Sequence, residues 1–274
     1  MINCVIVACS DELRFVRATL QQAAHLFQEV LIVFGTRYWD EVREENTNAV
    51  NAFEEECARG YPNVRVIWYK VPEDALNFMQ GSVRPAMYWE GHARRHAVNE
   101  MKPCDYVMFL DSDEVIDGKE FAAFLAAKTH TNFSVCKLAN YWYWREPIYR
   151  AKDYLEDSVV LIRSDKFKPL HLFSNTGRHG VFANCHPSET KRMVMSPSNT
   201  PMIHHYSWVR SKEEMCKKVT TWGHREDRQD WLERVEEEFS RDFNGTDFLK
   251  QLEYITTADC FGLTRAPQPD ARGL

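Results

Sequence analysis

The sequence predicts an α/β fold: a doubly wound, mostly parallel sheet with a helical extension at its C-terminal end. Three observations carry this expectation. Short unbroken apolar runs alternate with helix-period segments through the first 110 residues, the order that builds a parallel sheet. Those runs lack polar alternation, which fits strands buried on both faces. From Ser211 onward the chain becomes helical and densely charged.

In order, residues 5–8 form the first strand and run into Cys9-Ser10-Asp11-Glu12. Leu13, Val16, Leu20, Ala24 and Phe27 follow at helical spacing, with acids in the first turn to complement the helix dipole. Residues 30–34 are the second strand, closed by Gly35-Thr36. Asp40 is a plausible N-cap for a helix carrying Val42, Val50, Phe53 and Cys57. Gly60-Tyr61-Pro62 breaks that helix, and residues 64–68 are the third strand. A loop with Pro72, Gly81 and Pro85 leads to a helix over residues 89–101.

The run Tyr106-Val107-Met108-Phe109-Leu110 then ends on Asp111-Ser112-Asp113-Glu114. In open α/β sheets, ligands sit outside the carboxyl ends of the strands, where these acids fall. Two carboxylates one residue apart repel each other unless a cation or proton relieves them. Oxygen ligands beside a phosphate-bearing substrate suit Mg²⁺ or Mn²⁺. A merely solvated acidic loop is the plain alternative. An EF-hand fails, because positions five and six of such a loop are Val115 and Ile116 and a strand precedes it. Asp111-x-Asp113-x-Val115 also satisfies the first motif of haloacid-dehalogenase-type phosphatases. No later apolar run ends in the paired acids which that chemistry needs.

Further on, residues 133–144 and 158–163 read as strands joined by a loop containing Pro147. The tetrad Tyr141-Trp142-Tyr143-Trp144 is either a sugar-stacking platform or ordinary core packing. Residues 169–201 read as loop, with His171, His179, His186 and Glu189. Residues 202–206 form a short terminal strand. Met215, Val219 and Trp222, then Leu232, Val235 and Phe239, give amphipathic helical faces.

The 274 residues allow one large α/β domain with an appendage. A net charge of −6 without a basic stripe argues against nucleic acid as partner. No apolar run approaches the ~20 residues of a transmembrane span. The eight cysteines form no Cys-x-x-Cys pair and lie in apolar runs, which suggests reduced thiols and a cytoplasmic location. Met1-Ile2-Asn3-Cys4 leads straight into a strand, with no secretory leader expected.

Several of these stretches together resemble the GT-A-fold glycosyltransferases, and glycosyltransferase family two most closely. They are Asp11-Glu12-Leu13-Arg14-Phe15-Val16 after the first strand, Ala93-Arg94-Arg95 opening the helix before the acidic strand, and Asp111-Ser112-Asp113 followed by Glu114. His186-Pro187-Ser188-Glu189 and His205-Tyr206 look like later family positions. The resemblance covers residues 1–206. It implies a GT-A-like catalytic domain there, a helical extension over 207–263 and a disordered tail over 264–274. The second strand ends Phe34-Gly35-Thr36, without the Asp usual in the family. Gly35-Thr36-Arg37 also resembles sugar-1-phosphate nucleotidyltransferases, whose glycine-rich loop belongs after the first strand instead.

The family reading implies an inverting transfer of sugar from a nucleotide-diphosphate sugar to a hydroxyl of a glycan or glycoconjugate. Asp113, with Asp111 directly or through water, would hold Mn²⁺ or Mg²⁺, and His205 would complete the shell. His204 competes for that place, since strand neighbours point to opposite faces. Arg94 would bring positive charge to the phosphates, and Ser10 and Glu12 would meet the nucleoside. Glu189 would take the acceptor proton, with His186 orienting or replacing it and Asp157 as the alternative. A haloacid-dehalogenase-like phosphatase and a non-catalytic nucleotide-sugar-binding protein are the competing functions.

Overall fold

A computed structural model describes residues 1–36, 45–70, 85–173 and 177–264. The strands are β1 (Ile2–Ala8), β2 (Glu29–Gly35), β3 (Val64–Tyr69), β4 (Tyr106–Asp111), β5 (Glu114–Ile116), β6 (Val135–Trp144), β7 (Glu146–Arg163), β8 (Thr190–Val194), β9 (Ile203–Trp208) and β10 (Tyr254–Thr256). The helices are α1 (Leu13–Ala23), α2 (Thr47–Gly60), α3 (Pro85–Glu100), α4 (Gly118–Ala126), α5 (His179–Ala183), α6 (Lys212–Thr221) and α7 (Trp231–Phe239).

All ten strands join one sheet in the order β3-β2-β1-β4-β7-β6-β9-β5, with β10 paired to β7 and β8 to β6. The β3-β2-β1-β4 half is wholly parallel. Every residue of β1 and β2 is buried, as expected for strands covered on both faces. Helices α1, α2 and α4 contribute to the apolar cluster on one face, and α3 to the cluster on the other. The two acid-bearing segments are anchored from below. Thr19 in α1 donates to the Glu114 carbonyl, 3.1 Å away. Where α4 starts, a Cβ on Gly118 would lie 2.1 Å from the Gln22 carbonyl oxygen, so only glycine lets α1 approach this closely.

The sheet matches the α/β expectation, and the second half corrects it in detail. Residues 146–157 are strand, not loop: β7 is an 18-residue strand that begins right after Arg145, which turns the chain at φ 55°. Pro147 is tolerated because it lies at the strand's start. Residues 190–194, read as loop, form β8 parallel to β6. The segment after residue 206 is not purely helical either, since β10 pairs antiparallel with β7. Ser211 caps α6 through a reciprocal box with Glu214. The extension is welded to the sheet by Trp142, Trp144, Trp208, Met215, Val219, Trp231 and Val235, which share one buried cluster. Asp40, Val42, the loop with Pro72 and Gly81, and the tail after Thr264 lie outside the described residues. Within them, α2 is capped by Asn46, whose side chain accepts from the Ala49 amide at 3.1 Å. Among the described residues no helix is long and apolar enough to cross a membrane.

Candidate active site at the carboxyl edge of the sheet

Register fixes the geometry first. Val7 pairs with Asp111, Ala8 with Phe34 and Phe34 with Trp68, so β1 to β4 all end on one edge. The turn after β4 swings Asp113 towards β9, where the Tyr206 amide donates to the Asp113 carbonyl at 2.8 Å. His205 stands opposite Glu114 of β5 and beside Trp142 of β6.

Neighbours on β9 then separate by the period-two rule. His205 Nε2 lies 3.5 Å from Asp113 Oδ1, while His205 Nδ1 contacts Glu156 Oε2 at 3.0 Å. Burial works against a charged imidazole, but the hydrogen bonds to the two carboxylates outweigh it and push His205 up to about 10. This corner of the site therefore attracts positive charge. His204 faces the other way, bonded to the Tyr143 hydroxyl at 2.7 Å and packed on Tyr141 and Phe261. Burial depresses it to about 3, the signature of a neutral core histidine.

Asp111 is held differently. Arg94 Nη2 sits 2.5 Å from Oδ1 and Arg178 Nη2 3.1 Å from Oδ2. Burial alone would raise the Asp111 carboxyl. Arg178, then Arg94 and His205, more than offset this and keep it below its ordinary range. Both oxygens being engaged by guanidinium groups, Asp111 is poorly suited to be a phosphatase nucleophile. Arg178 also grips Glu114 through two bonds of 2.6 and 2.5 Å, and Glu114 accepts the Asp111 amide at 2.8 Å. Glu12 links Ser112 to Arg210, so the first-strand turn is tied to the acidic turn. The Ser10 hydroxyl accepts from the Asn46 amide at 3.1 Å, which joins that turn to the start of α2.

The structure thus brings Glu12, Arg94, Asp111, Asp113 and His205 to one region. It does not bring Glu189 and His186 there. Val107 pairs with Ile162, Ile162 with Val135 and Val135 with Thr190. Thr190 is therefore level with Val107 and Glu189 one residue further towards the amino end of β4, five residues along the strand from Asp111, roughly 16 Å at strand rise. Its carboxylate makes a half-exposed pair with Lys166 at 3.0 Å, and His186 bonds Ser188. The proton-acceptor expectation for both is corrected: they occupy the opposite edge of the sheet. Asp157 is the candidate of the three that lines the cleft. Lys137 lies 3.0 Å from it and Arg192 2.7 Å. Burial opposes ionisation of Asp157, but these two cations prevail and lower it.

That cleft, about 710 Å³, opens beside Asp111 and His205 and runs to the C-terminal helices. Its size is within the range of small-molecule sites. Trp142 reaches it, whereas Tyr143 and Trp144 are packed in the core, so the aromatic tetrad is mainly structural. Sequence reasoning missed Arg178 and Glu156. The only hint of Arg178 was a basic pair flanked by Gly177 and Gly180, and Glu156 carried no signal of its own.

Whether a divalent ion suits these residues is a question of donor chemistry. Among the described residues no group of three or more His, Cys, Asp and Glu side chains forms a metal cage. Asp113 Oδ1 and His205 Nε2, 3.5 Å apart, are separated as two ligands of one ion are. An ion would have to replace the proton on Nε2, and Glu156 on Nδ1 then gives the usual outer-sphere arrangement for a ligating histidine. Mg²⁺ commonly takes one or two protein ligands and completes its shell with phosphate oxygens and water. The pair fits such an ion; Asp111, committed to two arginines, fits an indirect role.

The strand order and this edge define an α/β architecture with a parallel half whose strands end together. No protein-family description matches the chain, and no curated protein does. Among solved structures, the galactosyltransferase LgtC in complex with donor and acceptor sugar analogs is similar at 12% identity and a TM-score of 0.44, covering 88% of this chain and 98% of that one. An active-site mutant of LgtC gives 12% identity and 0.39 over 69% and 72% of the two chains. The inositol-1-phosphate CTP transferase of T. maritima gives 8% and 0.41 over 72% and 90%. The α/β assignment itself rests on the strand order and register described above.

Proposed function

We propose that the protein is a metal-dependent glycosyltransferase that moves a sugar from a nucleotide-diphosphate sugar to an acceptor hydroxyl. The observation that carries this reading is Asp113 and His205 converging at the tip of the parallel half, beside a cleft walled by tryptophans and carboxylates. Loss of a nucleoside diphosphate needs its charge neutralised, and a Mn²⁺ or Mg²⁺ held by Asp113 and His205 would supply Lewis-acid charge there. Arg210 and Lys218, 3.4 and 3.8 Å from Asp113, add fixed positive charge on the same side. Arg94 and Arg178 hold Asp111 still, and Glu12 braces the turn that would meet the nucleoside.

Attack from the face opposite the leaving group, which is inversion, needs a proton acceptor on the cleft wall. We assign it to Asp157, the one of the three expected candidates that lines the cleft; Arg192 holds both its oxygens and Lys137 one of them, so these pairs must open for it to accept the proton. Asp157→Asn is expected to lower kcat by about 10²- to 10⁴-fold, measured at a temperature where the variant is still folded, because the buried Lys137 loses its counter-charge and the melting temperature falls as well. Glu189→Gln is expected to stay within about twofold of the parent, as for most surface changes. A turnover loss confined to the Glu189 variant would reverse this assignment.

Glu156 has a positioning role, through His205. Glu156→Gln should weaken Mn²⁺ binding about 10- to 100-fold, measured by titrating the ion in the presence of nucleoside diphosphate. Unaltered ion affinity would separate Glu156 from the site. The reading as a whole is tested by incubation with a panel of nucleotide-diphosphate sugars and Mn²⁺. Release of free nucleoside diphosphate from one of them is expected. No release and no thermal shift with any donor would end it.

A further inference from the structure

We infer that the far end of the cleft is a carbohydrate-binding subsite, built jointly by the sheet and the C-terminal segment, and that it takes a glycan as the acceptor. This rests on the transferase reading for the word acceptor, but the site itself is argued from its own walls. On the sheet side stand Trp142 of β6 and Trp208 of β9. Across from them are Trp222, just beyond α6, and Trp231, which opens α7. Trp222 meets Trp208 edge to face with centroids 5.2 Å apart, and meets Trp231 likewise at 5.5 Å. Trp142 and Trp208 are almost wholly buried, whereas Trp222 is half-buried at the cleft surface. Its ring is set by these two indoles, by the His224 ring 5.1 Å away and by the Lys218 ammonium over it, and the part left exposed faces the cleft.

The polar partners complete the chemistry. His224 and Asp227 line the same end and are joined Nδ1 to Oδ2 at 2.9 Å. A fixed aromatic ring beside a carboxylate and an imidazole suits a ligand with an apolar ring face and hydroxyls around its rim. Lipid chains would not use the polar pair, and a peptide would not need it beside a lone accessible ring. Donor and glycan then share one cleft: the diphosphate at His205, which lines it with Asp113 behind, and the glycan towards the helices.

The test uses the full chain on a printed glycan array, followed by calorimetry with the best-bound oligosaccharide. The parent is expected to bind, Trp222→Ala to lose about tenfold in affinity, and Asp227→Asn to lose a smaller factor, in the range of a lost polar contact. Both variants should hold nucleoside diphosphate with Mn²⁺ as the parent does. Asp227 is partly exposed, so its variant keeps the test open if Trp222→Ala folds poorly. Failure of the parent to bind any glycan, or equal binding by parent and both variants, would overturn the subsite. Glycan binding that depends on Trp222 in a protein blind to every nucleotide would leave the subsite standing and remove the transferase reading instead.

Discussion

Asp113→Ala is expected to abolish the divalent-dependent part of nucleoside diphosphate binding while leaving the fold intact. The reasoning starts from the side chain's contacts. Asp113 is buried, yet its nearest cationic neighbours stand back at 3.4 Å or more: Arg210 at 3.4, His205 at 3.5 and Lys218 at 3.8 Å. When this carboxylate is removed Arg210 keeps Glu12 and His205 keeps Glu156, so the loss of its hydrogen bond from Arg210 should lower stability without unfolding the chain. Removing a direct ligand should cost more than removing an outer-sphere partner, so the loss in affinity should exceed about a hundredfold. Calorimetry of nucleoside diphosphate with and without Mn²⁺ measures it. The parent should show a large difference between the two conditions and the variant almost none. Equal affinities for parent and variant in Mn²⁺ would sink the metal assignment, and with it the account of how the leaving group departs.

The parts of this edge that could be read in advance share a physical cause. β1, β2 and β4 are buried on both faces, so apart from polar residues near their ends (Asn3, Glu29, Asp111) their sequences are continuous apolar runs. The acids after β4 were legible because a burst of like charge at the end of such a run has no packing explanation. β7 escaped notice for the opposite reason. Its first twelve residues carry Glu146, Arg150, Lys152, Asp153, Glu156 and Asp157, and several residues of this stretch line the cleft rather than the core. A strand that lines a polar site does not look apolar. β8, Thr190–Val194, is mostly exposed and reads as loop for a similar reason. The misplacement of Glu189 is a failure of another kind. Spacing along the chain says nothing about the end of β6 to which the chain returns, and β8 returns to the wrong end for Glu189 to reach Asp111. Asp157 and Glu156 arrive at the cleft through a register between β6 and β7 that only the folded sheet defines.

Arg178→Met is expected to cause the largest loss of stability of any single change in this region. Arg178 is 4% exposed and satisfies two carboxylates at once, Glu114 through both terminal nitrogens and Asp111 at 3.1 Å. Methionine keeps much of the volume but leaves Glu114, 1% exposed, with a charge that Ser158 and the Asp111 amide alone must stabilise. Breaking a buried pair from one side costs about 3–5 kcal/mol, because the surviving charge stays desolvated. At about 2–4 °C per kcal/mol for a chain of a couple of hundred residues, the melting temperature should fall on the order of 10 °C. The solvent-screened Lys166–Glu189 pair, by contrast, should add little to stability. Scanning calorimetry on Arg178→Met, Glu114→Gln and the double variant separates the two causes. If desolvated charge is responsible, neutralising Glu114 in the Arg178→Met background recovers part of the loss. A double variant as unstable as the sum of the singles would instead assign the effect to lost packing. The functional consequence follows from the same contacts, since Asp111 without Arg178 keeps only Arg94 and can turn away from the cleft. Donor affinity should therefore fall in Arg178→Met even at temperatures where the protein remains folded.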